Sequence, residues 1–148
     1  MPLDPSPTAV IVAERVSPGF ATDLSTWVFV VEPDGTATQP AVVANVDNMF
    51  RGEQRTFAAQ LTETDVAELL AAAEVGGFGR LAPNYSADNA ERCVSDLSTT
   101  ALSFRLRGEL KRVQVYGAGF LAYEGSEEMK VFCDLWQRIE RHLPYGGA

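Results

Sequence analysis

Few residues of this chain are of the types that carry enzyme chemistry. The chain has a single histidine, His142, and two cysteines, Cys93 and Cys133. A serine or cysteine nucleophile needs a nearby base, most often histidine, and a zinc site needs four suitable ligands. His142 lies at the end of a predicted helix, where the helix dipole stabilises an imidazolium without any catalytic role. We therefore assign no catalytic residues and no cofactor, and the sequence favours a non-enzymatic protein.

One polar loop offers an alternative based on calcium. Between Ala82 and Asp96, the spacing Asn84-x-Ser86-x-Asp88 has the alternating oxygen ligands with which a calcium-binding loop begins. The glycine expected at the sixth position and the acid expected at the twelfth are both missing, and turn-forming residues explain the same composition. A calcium- or small-molecule-dependent protein therefore stays open as an alternative, with Asn84, Asp88 and Asp96 as the metal ligands.

Aromatic residues in a glycine-flanked loop are the best candidates for contact with a partner. Phe120 and Tyr123 follow two closely spaced glycines and are harder to bury than the aromatic residues of the strands. Exposed aromatic side chains are frequent anchors of protein interfaces. Tyr116 precedes this loop, and Asp96 precedes a strand, where it can accept backbone N–H groups or simply cap a turn. We predict a binding site composed of Phe120, Tyr123, Tyr116 and Asp96.

The charge of the chain restricts its partners. Lysine and arginine number 12 and aspartate and glutamate 20, which gives a net charge of −8 and an isoelectric point near 4.6. Nucleic-acid binding depends on a positive surface, so we expect no nucleic-acid partner. The densest basic stretch is Arg105, Arg107, Lys111 and Arg112, which we interpret as the solvated face of a hairpin. An acidic surface suits a basic partner, so an intracellular regulator or inhibitor is a second alternative.

The positions named above must be held by strands and helices, which the sequence patterns predict directly. Alternating and β-branched runs predict strands, and apolar residues at helical spacing predict two amphipathic helices. The first helix begins at Thr62, with Asp65 placed to complete a capping box, and ends at Gly76-Gly77. Strands are predicted over 8–16, 26–32, 36–43, 55–59, 97–106 and 110–116, and the second helix over 126–143.

These elements predict an α+β fold in a single domain. Neither hairpins nor amphipathic helices can hide their apolar faces alone, so we expect a two-layer sandwich. It consists of a mostly antiparallel sheet of two hairpins plus an N-terminal strand, with both helices packed on one face. Residues 9–144 form the domain, residues 1–8 an extended tail and residues 145–148 a second tail. We expect no transmembrane segment, because no apolar run approaches the roughly 18 residues that a membrane helix needs.

A series of short motifs also carries a resemblance to a known family. They are Glu14-Arg15, Gly19-Phe20, Pro33-Asp34-Gly35-Thr36, Leu61-Thr62, Leu69-Leu70, Gly77-Phe78, Leu81, Tyr85, Val94-x-Asp96-Leu97-x-Thr99, Gly108-x-x-Lys111-x-Val113 and Tyr116-Gly117. In this order, over about residues 10 to 140, the chain resembles an uncharacterised bacterial domain of unknown function that often occurs in lipoproteins or secreted proteins. The resemblance implies a single small domain and provides no catalytic residues. The cysteine pair that members often carry around the Gly-Phe segment is absent here.

Together, these observations predict a small binding module of unknown specificity, whose partner is another protein or a component of the bacterial envelope. The resemblance favours an extracytoplasmic location. The start of the chain has neither a basic segment nor an apolar one, so no signal peptide is visible and the cytoplasm stays open. The sequence also leaves open whether Cys93 and Cys133 form a disulfide, which would speak against the cytosol.

Overall fold

The computed structural model describes residues 8–16, 26–44, 52–86, 99–116 and 127–145. Within these ranges the chain has the predicted α+β fold, in which a sheet of seven strands carries two α-helices. A single 3₁₀ turn, Phe78–Arg80, follows the first helix. The elements are β1 (Ile11–Val16), β2 (Trp27–Val31), β3 (Thr36–Ala44), β4 (Gly52–Gln60), α1 (Glu63–Val75), β5 (Asn84–Ser86), β6 (Thr99–Leu106), β7 (Glu109–Tyr116) and α2 (Glu127–Glu140).

The N-terminal strand β1 lies at the centre of the sheet. The strand order is β4-β3-β2-β1-β6-β7-β5, and every neighbouring pair is antiparallel except β5 and β7. Because β1 pairs with both β2 and β6, Ala13 lies opposite Phe29 on one side and opposite Leu102 on the other. The predicted mostly antiparallel sheet is therefore confirmed, and β1 joins its two halves.

Two tight turns fix the registers of the hairpins. Between β2 and β3, the Thr36 N–H donates to Asp34 Oδ1 at 2.9 Å, and Gly35 adopts a φ of 87°. Between β6 and β7, Arg107 and Gly108 have φ angles of 52° and 84°. Two successive positive φ values are typical of the type I′ turn, whose twist matches that of a β-hairpin. Both turns lie where the sequence predicts them.

Both helices cover the same face of the sheet, which we call the helix face. Alternate strand residues point to one face, and Phe29, Leu102 and Val113 on the helix face are fully buried. Burying one large apolar side chain contributes about 1.5–3 kcal/mol, so the shared core holds the two layers together. The helices contribute Val66, Leu69 and Ala73 from α1, and Met129, Phe132, Leu135 and Ile139 from α2.

The predicted capping box begins α1. Thr62 Oγ1 accepts the Asp65 N–H at 3.0 Å, and Asp65 Oδ2 accepts the Thr62 N–H at 3.1 Å. The hydrogen bond from the Thr62 backbone is the main cause that lowers the pKa of Asp65. At the other end of the helix, Gly77 takes the left-handed conformation, with a φ of 85°, as predicted for a helix that ends in glycine.

The residues after α2 return to the helix face near β3 and β4. The side-chain amide of Gln39, which is fully buried, donates to the Tyr145 carbonyl oxygen and accepts the Tyr145 N–H, each at 3.0 Å. The Tyr145 ring stacks on Phe57, with ring centroids 4.8 Å apart. Farther along the same face, Trp136 of α2 stacks on Trp27 of β2 at 5.5 Å.

The structure corrects the sequence prediction at two strands. The predicted loop after Ala82 is wrong at Asn84–Ser86, because these residues pair in parallel with β7 and form β5. Strand β4 covers nine residues and pairs with β3 along its whole length, whereas the prediction gave a short strand over 55–59. Both corrections come from strand pairing beyond a tight turn, which the local sequence does not specify. No helix within the described ranges is long and apolar enough to cross a membrane.

Candidate functional site

Tyr116 is the one sequence-predicted binding residue within the described ranges. It ends β7, is half-buried and lies opposite Thr99 of β6. Asp96, Phe120 and Tyr123 lie outside the described residues. The binding site composed of these four residues therefore stays a prediction.

The calcium alternative is also only partly within the described structure. Asn84 is exposed at the start of β5, opposite Gln114 of β7, whereas Asp88 and Asp96 lie outside the described residues. In the part of the chain that the structure describes, no three side chains of His, Cys, Asp or Glu stand close enough together to hold a metal ion. Calcium binding through the 84–96 segment therefore stays a prediction.

The structure describes Cys133, one of the two possible thiol nucleophiles, and His142, the single histidine of the sequence. Cys133 of α2 is a free, half-buried thiol, and burial raises its pKa, which disfavours the reactive thiolate. The His142 N–H donates to the Ile139 carbonyl oxygen at 2.9 Å just beyond α2. His142 also helps to lower the pKa of Asp65, although the hydrogen bonds from Thr62 contribute more.

A concave site in the described part of the chain lies between the end of α1 and the β6–β7 hairpin. We call this site the basic groove. Its volume is about 630 Å³, within the range of ordinary ligand sites. The groove is lined by Glu74, Gly77, Gly79, Arg80, Pro83, Leu106, Arg107, Glu109, Leu110, Lys111 and Arg112. Four of these residues are cationic and two are anionic, which makes the groove locally positive on a protein of net charge −8.

Packing of two elements fixes the walls of the groove. The Phe78 ring meets Phe104 of β6 edge-on at 4.9 Å, which holds the 3₁₀ turn against the hairpin. Farther along, the Gln114 N–H donates to the Pro83 carbonyl oxygen at 2.9 Å, and this bond attaches the next segment to β7. The wall that carries Arg80 is thus anchored on both sides to the β6–β7 hairpin, whose strand β7 carries Lys111.

Two of the groove cations already have partners. Arg112 Nε lies 3.0 Å from Glu14 Oε2, and its Nη1 donates to Gln114 Oε1 at 2.9 Å. Arg107 Nε stands 3.8 Å from Glu74 Oε1, and the Arg107 side chain is 89% exposed. An exposed ion pair at this distance contributes little, because solvent screens it. Arg112 is therefore held in place, and Arg107 is only loosely held.

The other two cations, Arg80 and Lys111, differ from this pair in their surroundings. Within the described ranges neither side chain forms an ion pair or a hydrogen bond. Lys111 lies opposite Phe104 on the helix face and is half-buried, whereas Arg80 is exposed. Arg80 also borders a recess of about 220 Å³ next to Glu127 and Glu128. The groove thus offers a guanidinium and an ammonium to an anionic ligand.

The chemistry of the groove is recognition of negative charge. Guanidinium binds carboxylate and phosphate oxygens through directed hydrogen bonds, and ammonium adds a compact positive charge. Lys111 is visible in the sequence as part of the basic stretch, which the sequence alone leads us to interpret as a solvated face. Arg80 was missed, because only the tertiary fold brings the segment after α1 beside the hairpin. The signal in the sequence that points to this wall of the groove is the isolated Arg80, which follows the helix-ending Gly76-Gly77 by three residues.

Comparisons with known proteins provide no family for this chain. No protein-family model matches it, and no curated protein matches it either. The resemblance to an uncharacterised bacterial domain therefore stays a prediction.

Proposed function

We propose that the protein is a non-enzymatic binding module that takes an acidic segment of a partner protein in the basic groove. The observation that carries this proposal is that one groove is lined by two cations, Arg80 and Lys111, that have no partner among the described residues. An anionic ligand gains more binding free energy from a cation without a counter-ion in a concave site than from a cation that is already paired.

The character of the groove favours a protein segment over a compact small molecule. Small-molecule sites are mostly apolar, with a few polar groups. Here the apolar lining is limited to Pro83, Leu106 and Leu110, and charged residues provide most of the rest. Acidic side chains of a partner can enter such a groove while they remain partly hydrated, which keeps the cost of desolvation low. The net charge of −8 repels acidic chains elsewhere, so binding must be local to the groove.

Binding of a fluorescently labelled hexaglutamate peptide, followed by fluorescence anisotropy at low salt, tests this proposal. The double variant Arg80→Gln with Lys111→Gln should weaken binding at least about tenfold, which corresponds to 1.4 kcal/mol. The matched control is Arg138→Gln with Arg141→Gln, which removes the same charge from exposed positions of the chain that do not line the groove. Equal loss of affinity in both double variants would show that only net charge matters and would refute the proposal.

The salt dependence of the same titration provides a second readout. Screening at about 0.15 M salt should weaken hexaglutamate binding to the wild type, because the contacts are between opposite charges. The same titration also tests the predicted aromatic anchors, by means of the double variant that combines Phe120→Ala and Tyr123→Ala. If that variant loses affinity and the Arg80 and Lys111 variant does not, the binding surface is the one predicted from the sequence and the groove is not the site.

A further inference from the structure

The two edges of the sheet differ in how they are protected. Strand β5 forms one edge, covers three residues and directly follows Pro83. Strand β4 forms the other edge and covers nine residues, Gly52–Gln60. Natural sheets protect their edges with short strands, proline, lysine, bulges or inward charges. β4 contains no proline or lysine, and its unbroken register with β3 leaves no bulge.

The two charges of β4 do not protect its edge strongly. Glu53 and Arg55 both point to the helix face, and they pair with each other at 3.4 Å. Their side chains are exposed, 50% for Glu53 and 59% for Arg55. The strand is therefore electrically neutral, although the whole chain carries a net charge of −8.

The unused hydrogen-bonding groups of β4 follow from the register. The Val42 N–H donates to the Thr26 carbonyl oxygen, so even-numbered residues of β3 direct their main-chain groups to β2. Odd-numbered residues of β3 and β4 therefore bond to each other, since these groups alternate in an antiparallel ladder. The N–H and C=O groups of Gln54, Thr56 and Ala58 consequently point away from the sheet, where no strand of the described chain pairs with them.

We propose that β4 pairs antiparallel with β4 of a second copy of this chain, about a twofold axis at Thr56. This register sets Gln54 opposite Ala58 of the second copy and Thr56 opposite Thr56. The three pairs formed by Gln54, Thr56 and Ala58 alone provide about six main-chain hydrogen bonds, since each such pair exchanges two. It is the one register centred within β4 that pairs all nine residues of the strand with all nine of its copy. Closed twofold pairing is also the most common form of oligomer.

The side chains favour this register over the one centred on Arg55. On the helix face it places Arg55 opposite Phe57 of the second copy, where a guanidinium can lie over an aromatic ring. It also places Glu53 opposite Ala59, so no two like charges face each other. A shift of the twofold axis by one residue to Arg55 would set arginine against arginine, which is destabilising.

Sedimentation equilibrium of the full chain, from about 5 μM to 1 mM, tests the proposal. The wild type should form a dimer, and added salt should strengthen it, because screening reduces the repulsion between two copies of net charge −8. The variant Thr56→Pro removes one edge-facing N–H that β3 does not use, and proline is tolerated at such a position. We expect its dimer dissociation constant to rise at least tenfold, with an unchanged far-UV circular dichroism spectrum. The control Thr56→Val should dimerise like the wild type.

A covalent readout covers the case in which the proline variant fails to fold. In a background with Cys93→Ser and Cys133→Ser, mild oxidation should cross-link Thr56→Cys into dimers, because directly opposed Cα atoms stand at a distance that a disulfide spans. Thr38→Cys, exposed on the interior strand β3, should not cross-link. A wild type that stays monomeric up to 1 mM at high salt would refute the proposal, and so would a dimer that a folded Thr56→Pro variant leaves unchanged. Neither result bears on the basic groove, where salt should weaken binding.

Discussion

Replacing Gln39 with leucine tests how the end of the described chain is attached to the sheet. The Gln39 side chain is fully buried, and its amide makes two hydrogen bonds of 3.0 Å with the main chain of Tyr145. A hydrogen bond of this kind contributes about 0.5–1.5 kcal/mol net. Loss of both should therefore lower the free energy of unfolding by about 2 kcal/mol.

Urea denaturation followed by circular dichroism measures this change. With a typical dependence of about 2 kcal/mol per molar urea, the midpoint should fall by about 1 M. Gln60→Leu is the matched control. The Gln60 amide also donates to two carbonyl oxygens, those of Asp34 and Leu61, but it lies on an exposed side chain. This control should change stability by no more than about 0.5 kcal/mol.

A double-mutant cycle with deletion of residues 145–148 attributes the loss to Tyr145. In the shortened chain the Gln39 amide has lost its partner, so leucine at this position should be neutral or stabilising. The coupling between the two changes should then be about 2 kcal/mol. The deletion alone should cost somewhat more than Gln39→Leu, because it also removes the stacking of Tyr145 on Phe57, which contributes about 0.5–1.5 kcal/mol. Additivity of the two changes within about 0.5 kcal/mol would refute this account.

Three further predictions concern turns and helix ends, and equilibrium unfolding checks each of them. Thr62→Ala should cost about 1 kcal/mol through loss of the capping box, whereas Thr64→Ala in the first turn of α1 should cost much less; equal costs would contradict the role of the cap. Gly35→Ala should cost well above 2 kcal/mol, because a Cβ there would overlap the Leu61 carbonyl oxygen. Gly108→Ala should cost only about 1 kcal/mol, since its φ is similar but no atom lies within 4 Å of a Cβ at that position. The reverse order of the two costs would contradict this geometry. The pKa values of Asp34 and Asp65 are lowered from 3.8, mainly by hydrogen bonds from the Thr36 and Thr62 main chains. The stability that these two carboxylates contribute should thus be complete well above pH 3.8 and be lost as pH falls through the lowered pKa. Asp34→Asn and Asp65→Asn should each reduce the loss of stability on acidification. An unchanged dependence of stability on pH would contradict this.

Elements specified by neighbouring residues were predictable, and elements specified by strand pairing beyond a tight turn were not. The capping box at Thr62 and Asp65 and the turn at Arg107-Gly108 depend on neighbouring residues, and the structure contains both as predicted. Strand β5 forms because Asn84–Ser86 lie beside β7, and the composition of that segment is typical of a loop. The length of β4 likewise depends on continuous pairing with β3.

The candidate site shows the same division. The basic stretch containing Lys111 is visible in the sequence, and the alternation of its strand places Val113 and Val115 in the core, as predicted. The partner wall of the groove could not be predicted, because Arg80 lies in a 3₁₀ turn whose position depends on contact between Phe78 and Phe104. A charge pattern along one strand indicates which side chains are available but not which distant residue lies opposite.

The stacking of Trp27 on Trp136 provides an intrinsic fluorescence probe of contact between α2 and the sheet. These are the two tryptophans of the sequence, and their rings stand 5.5 Å apart, one on β2 and the other on α2. Intrinsic tryptophan emission therefore comes from a single place in the molecule, where the second helix meets the sheet. Excited indoles this close exchange energy, so separation of the two layers changes the emission of both at once. Detachment of α2 can be followed in real time without any added label, even while the strands remain paired.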